Sequence, residues 1–239
     1  MGCWLLSTAL WAQGDYLSED YLYAREFVWG INKNNRDGII GGFVFRYSWA
    51  HSDDVYQHLG MELVNVKHQQ EQRLLLYVQR QSWIGSKTNY LYNIRLHYGR
   101  EKILFKKAPY QGVQITWLNS AGPSIGVVAP YYVAVVKQVG NGLFERVNEP
   151  YDPAKHDYDQ ILGPGYLFQG LGESNIELGI HAKTSLSFEF GLTKRNVAGL
   201  EFGFMLEAFP NEIPLMSSGY TNQGVFTYFF VTMFYGGRR

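Results

Sequence analysis

Between Asn175 and Gly191 alternate residues fall into two sets of opposite chemistry. Ile176, Leu178, Ile180, Ala182, Thr184, Leu186, Phe188 and Phe190 form one set. Glu177, Gly179, His181, Lys183, Ser185, Ser187 and Glu189 form the other. A β-strand sends alternate side chains to opposite faces, so this segment has one face without charge and one carrying both signs. The split recurs along the chain in segments long enough to cross a bilayer. It is the pattern that a transmembrane β-barrel requires, with lipid outside and a polar lumen inside.

Seven further segments repeat it. They are Tyr23–Asn32, Ile39–Ala50, Val55–Val66, Asn89–Gly99, Gly112–Val127, Val197–Phe209 and Gly224–Tyr235, bringing the expected number to eight. In the second, Phe43, Phe45, Tyr47 and Trp49 oppose Val44, Arg46 and Ser48. In the fourth, Tyr90, Tyr92, Ile94, Leu96 and Tyr98 oppose Asn93, Arg95 and His97. Pro123 falls late in the fifth, where a bulge or an early strand end is expected because proline cannot donate to a ladder. The turn signal Arg36-Asp37-Gly38 separates the first two. Aromatic residues make up 16% of the 239, which favours strands. No stretch approaches the roughly 18 apolar residues of a membrane-spanning helix. Basic and acidic residues balance at 21 each, so no basic field points to a nucleic-acid partner.

An even strand number puts both termini on one side, read as periplasmic. His51–Asp54, Arg100–Gln111 and Leu192–Asn196 then connect strands on that side. Lys33–Gly38, Lys67–Thr88, Pro130–Ser174 and Pro210–Gln223 form the external loops, most of them longer, as outer-membrane barrels have them. Arg100–Gln111 exceeds what such a turn needs and reads as strand extension. A soluble eight-stranded barrel of lipocalin type also alternates, with its apolar face inward. Two features favour the membrane. The polar face is rich in Gly and Ser, as a narrow lumen requires. The apolar face carries Tyr47, Trp49, Tyr90, Tyr98 and Tyr235 near strand ends, as an interfacial girdle does.

Met1–Ala12 (MGCWLLSTALWA) is apolar, short and closed by a small residue before Gln13, like the apolar region of a secretory signal peptide; a buried N-terminal strand is the alternative. Removal would take Cys3, the one cysteine, and leave 13–239 as a single barrel domain without disulfides or thiolate metal sites. With this segment, the alternating strands and an aromatic last strand, the chain resembles small outer-membrane β-barrel proteins of Gram-negative bacteria. Gln after the cleavage point is similar to Bacteroidota exports. The resemblance implies an antiparallel eight-stranded transmembrane barrel with long external loops, in contact with outer-membrane lipid. Such chains usually end on the aromatic residue, whereas Gly236-Gly237-Arg238-Arg239 follows Tyr235 here.

A lipid-modifying hydrolase needs a Ser–His–acid set reachable from the membrane. By parity His58, His97 and His181 point into the lumen, and outward Asn65, Asn119, Thr184 and Thr227 make no triad. His68, Glu71 and Ser82, or His156 with Asp157, sit in loops at unspecific spacings. No cofactor or metal motif is present, and Asp152–Asp159 lacks a calcium-loop consensus. The luminal set is the most structured signal. Arg46, Arg95 and Lys183, with His97 and His181, face Glu62, Glu177, Glu189, Glu201 and Glu207. A cross-lumen ionic network is expected in preference to a conducting pore, because buried charges must be paired. The longest loop, Pro130–Ser174, is the candidate for external binding through Phe144, Tyr151, Asp152, His156, Asp157, Asp159 and Tyr166, with a lid over the barrel mouth as the alternative. These readings point to a non-catalytic structural or surface-binding protein, or an accessory subunit of an envelope or secretion complex. A lipid-modifying enzyme and a small pore are the rivals.

Overall fold

The computed structural model describes residues 24–36, 41–76, 81–106, 112–140, 142–166, 168–190, 195–217 and 219–239. The signal-like segment with Cys3, the tip of the Arg36-Asp37-Gly38 turn, and the expected strand starts at Tyr23 and Ile39 lie outside the described residues.

Eight strands form a closed antiparallel barrel. They are β1 (Arg25–Asn34), β2 (Gly42–Ser52), β3 (Val55–Val66), β6 (Asn89–Phe105), β7 (Gln114–Pro130), β11 (Asn175–Glu189), β12 (Asn196–Ile213) and β13 (Gln223–Arg238). Each pairs with its sequence neighbour in the barrel, and β13 returns to β1 with Trp29 opposite Tyr235. Closure leaves no strand edge to meet lipid, which has no water to satisfy free N–H and C=O groups. A short hairpin, β4 (Arg73–Leu76) with β5 (Gln81–Ile84), is inserted between β3 and β6. A three-stranded sheet of β8 (Tyr132–Gln138), β9 (Phe144–Pro150) and β10 (Ile161–Pro164), with β8 in the middle, is inserted between β7 and β11. Both insertions lie at the end opposite the described termini.

The faces sort as a membrane barrel requires. Phe27, Trp29, Ile31, Leu59, Leu178, Phe204, Phe229 and Met233 project outward and are exposed. Arg46, Glu62, Arg95, Lys183, Glu201 and Glu207 project inward and are buried. A soluble barrel would place these two sets the other way round. Even the outward polar residues are matched locally: Thr184 donates to Asn119 Oδ1 at 2.8 Å and accepts from Trp117 Nε1 at 3.1 Å. Near the inserted loops the lumen turns apolar, with Val64, Val66, Leu91, Val128, Phe209, Phe226 and Phe230 packed together under Ile213, Leu215 and Met216.

Two expectations need correction. Pro123 ends nothing and makes no bulge: β7 runs through it to Pro130, and Pro123 faces Ile180 of β11 in continuous register. Toward β6 the pairing resumes in the same register, Arg95 with Ser124 and Tyr98 with Ala121. The missing N–H therefore costs local ladder bonds without shifting the strands. β6 continues to Phe105, as the extension read in Arg100–Gln111 implies, while β13 passes its expected end at Tyr235 and reaches Arg238, because the alternation continues beyond the lipid-facing belt.

Phe202 lies outward on β12 between Leu186 of β11 and Val231 of β13. Phe202→Arg is expected to destabilise the barrel by about 2–4 kcal/mol near the bilayer midplane. Reversible denaturant unfolding from liposomes measures this; a variant as stable as the parent would show that this face does not meet lipid.

Candidate functional site: the luminal ion string and the external sheet

Inward parity on seven strands brings acids and bases into one file along the lumen. Glu207 anchors it. Arg95 donates to Glu207 from Nε at 2.8 Å and from Nη2 at 2.7 Å. Ser124, Tyr228 and Asn93 donate to the same carboxylate at 2.7, 2.7 and 2.8 Å. The Arg95 guanidinium also lies 4.7 Å from the centre of the Tyr228 ring. From Arg95 the file continues to Glu62 at 3.5 Å, then to Lys183 at 2.7 Å, then to Glu201 at 3.0 Å. Arg46 closes on Glu201 at 2.8 Å and stands 3.3 Å from Glu101, which Ser48 and His58 also approach, at 2.8 and 3.1 Å. At the terminal end Arg238 bridges Glu26 and Glu189. Signs alternate at every step, so each charge removed from water is met by its opposite.

Three histidines lie alongside the file. The His97 ring stands edge-on to His58 and His181, with centroids 5.8 and 5.7 Å away. Each ring lies opposite a glycine in the ladder: His58 opposite Gly99, His97 opposite Gly60, His181 opposite Gly122. The match is steric. A Cβ on Gly60 would stand 2.1 Å from His97 Nε2, and one on Gly99 would stand 2.7 Å from His58 Cε1. His181 Nδ1 lies 3.0 Å from Ser124 Oγ, which links the row to Glu207. Among the described residues the file holds six carboxylates, of Glu26, Glu62, Glu101, Glu189, Glu201 and Glu207. Four Lys and Arg side chains face them, those of Arg46, Arg95, Lys183 and Arg238.

Of the expected luminal residues, Arg46, Glu62, Arg95, His97, His181, Lys183, Glu189, Glu201 and Glu207 are all buried in the barrel. Glu177 is not among them in effect: it is half-buried opposite Gly126, near the rim, and joins no ion pair among the described residues. Arg95 and Glu62 are direct cross-strand partners, yet the shorter bonds of Arg95 cross to Glu207 instead. Glu26, Glu101 and Arg238 were not expected there. Their parity matches the lumen; Glu26 lies within the expected first strand, whereas Glu101 and Arg238 lie in the connection after the fourth strand and in the tail.

The external sheet has its own core of Trp83, Tyr131, Val133, Val135, Tyr151 and Ile161, with Trp83 and Tyr151 edge-to-face at 5.4 Å. Tyr151 and His156 were expected as exposed anchors and are instead buried, at 6% and 9% exposure, because the Tyr151 ring packs between Trp83 and the imidazole. Phe144 and Tyr166 are exposed, at 71% and 74%, and Asp157 and Asp159 are exposed as well. Asp152 shapes its turn by accepting from the Ala154 amide at 3.0 Å, a bond that holds its carboxyl below the usual range. Glu149 is held low by the hydrogen bond from Lys137. Burial pushes the Tyr131 phenol up to about 12, while its oxygen accepts from the Ile84 amide at 3.1 Å. A groove of about 500 Å³ runs between this sheet and the barrel rim, lined by Thr88, Asn89, Pro130, Glu149, Asp152 and Lys155 among others.

Among the described residues the expected loop candidates form no hydrolytic triad. His68 is tied to the Thr221 carbonyl at 3.1 Å, and Glu71 is taken by Lys87 at 2.6 Å. Burial lowers the Lys87 ammonium from its ordinary value, and Glu71 opposes that fall. Among the described residues no group of three His, Cys, Asp or Glu side chains is arranged to hold a metal ion.

No protein-family model matches the chain. No curated protein matches it in sequence. Solved structures similar to it include Ail, the attachment invasion locus protein of Yersinia pestis. That likeness has a TM-score of 0.41 and 9% identity over 91% of this chain and 100% of that one. Ail in complex with the heparin analogue sucrose octasulfate gives 0.40 and 9% over the same shares. Neisserial surface protein A gives 0.42 and 8% over 90% of this chain and 96% of that one.

Arg95→Met leaves Glu207 without its cation and Glu62 with Lys183 alone. Breaking a buried pair in this way is expected to cost about 3–5 kcal/mol. Arg95→Met combined with Glu207→Gln is expected to recover part of that loss. Denaturant midpoints of the refolded barrels measure both, and an unchanged midpoint for the single variant would mean that the lumen is wet.

Proposed function

We propose that the chain is a non-catalytic outer-membrane surface protein, with its termini in the periplasm and its inserted loops outside. The barrel serves as a sealed mount and the external sheet as the binding element. One observation carries the reading: the long connection between β7 and β11 is a folded sheet with its own buried core, yet its tip is left bare. Val139, Leu143 and Phe144, at the turn joining β8 to β9, are 51%, 71% and 71% exposed. Glycines in the left-handed region, Gly140 (φ 63°) and Gly142 (φ 81°), hold that turn. Apolar side chains displayed on a built support are the usual material of a recognition surface. Long loops in compact domains that are neither disordered nor needed for connection are usually functional.

The luminal file supports the same reading from the other side. It fills the barrel with paired charge and leaves chemistry to the loops. Binding to an envelope-complex subunit or to an external surface would use the same tip.

The expected outcome is that a Val139→Ser, Leu143→Ser, Phe144→Ser variant still folds, since none of the three touches the Trp83 core, but loses the proteins that co-purify with the parent in mild detergent. Protease added to intact cells is expected to cut the chain at this turn. A variant that keeps every co-purifying partner, or a turn cut only after the cells are opened, would overturn the assignment.

A further inference from the structure

The end of the barrel that carries the termini has a chemistry that neither the lumen nor the loops explain. Beyond the lipid-facing belt, β6 sends Arg100 and Lys102 outward, in phase with Leu96 and Tyr98. Arg25, at the start of β1, and Arg195, just before β12, are exposed at the same end. None of these four cations makes an ion pair among the described residues. Of the side-chain carboxylates that reach solvent there among the described residues, Asp54 is already paired with Lys106 at 2.7 Å, which leaves Asp53. At the opposite end Lys87, Lys137 and Lys155 are paired, with Glu71, Glu149 and Asp152, while Lys67, Arg73 and Arg146 make no ion pair among the described residues, so what sets the terminal end apart is the placing of its cations beside the outward aromatic rings.

The cations are ordered relative to the aromatic girdle. Arg25 pairs with Trp49 across β1 and β2, Trp49 with Gln57 across β2 and β3, and Gln57 with Arg100 across β3 and β6. One transverse row of outward positions therefore carries a cation at each flank and an indole between. The indole is fixed by donating to Gln57 Oε1 at 3.2 Å, and its ring lies 6.1 Å from Tyr47 and 6.4 Å from Tyr98. Lys102 stands opposite Trp117, another outward indole.

Amphipathic rings settle at the headgroup level of a bilayer, and long cationic side chains reach past the acyl region to the phosphates. Guanidinium matches phosphate oxygens with two parallel hydrogen bonds. We propose that Arg25, Arg100, Lys102 and Arg195, with Trp49, Tyr98 and Trp117, form a binding collar for anionic phospholipid headgroups at the terminal end of the barrel. The site is continuous with the lipid-facing surface and complementary to it in charge. The collar needs only that the barrel spans a membrane, so it stands or falls apart from the role of the external sheet.

The test is native mass spectrometry of the full-length, detergent-folded chain mixed with phosphatidylglycerol and phosphatidylcholine. The parent is expected to retain phosphatidylglycerol preferentially, with the preference shrinking as salt is raised. Joint Arg25→Gln, Arg100→Gln, Lys102→Gln and Arg195→Gln replacement is expected to reduce that preference by about tenfold or more. Lys155→Gln at the other end is expected to leave it intact. Should the fourfold variant fail to fold, Lys102→Gln and Arg195→Gln singly are each expected to remove a share. Two results would overturn the proposal: a parent that does not discriminate between the two lipids, and a preference that survives the fourfold replacement.

Discussion

The bond between Arg95 and Glu207 is the point on which the lumen is organised. Both side chains are fully buried, and an isolated charge in that position would be prohibitive. Arg95 is affordable only because Glu207 answers it with both oxygens, and Glu207 only because Ser124, Tyr228 and Asn93 occupy what remains of its acceptor capacity. Those five residues come from β6, β7, β12 and β13. The same contact that neutralises the charges therefore ties opposite walls of the barrel together. From there the alternating file hands charge along to Glu62, Lys183, Glu201 and Arg46 without a gap of like sign. Burying such a file against well-packed apolar alternatives is not a route to maximal stability. It is a route to a unique register, because a strand that slipped by one residue would carry its charges into lipid.

Much of this was legible in the residues themselves. The period-two split on eight segments gave the strand number, the direction of each face and most of the luminal set, because lipid on one side and buried charge on the other leave little freedom. β3 runs as read, from Val55 to Val66. Strand ends were harder. Arg100 and Lys102 flank Glu101 on β6, and the connection they open read as strand extension without showing how far it ran or that the middle residue points inward and the outer two outward. The tail after Tyr235 likewise hid Arg238, which continues β13 and enters the lumen.

Register was beyond reach. Parity placed Arg95 and Glu62 on the same face of adjacent strands, but the better partner, Glu207, lies across the lumen more than a hundred residues along the chain, where no local pattern points to it. The external sheet was hidden for a related reason. β4, β5 and β10 are four residues each, too short to show an alternation, and their core is assembled from Trp83, Tyr131, Tyr151 and Ile161 drawn from separate segments. Aromatic abundance in the loop signalled that something apolar was built there. Only the fold separates Tyr151, spent on that core, from Phe144, left outside it.

The account rests on a lumen filled by paired charge and closed at the loop end by Phe226, Phe209, Leu215 and Met216. Single-channel recording of the refolded parent in a planar bilayer tests this most directly. A sealed barrel is expected to give no steady conductance, and removing the apolar closure together with Arg95 is expected to produce one. Stable, ohmic openings from the unmodified parent would contradict the account, since ions would then be passing where the structure places a continuous file of bonded side chains.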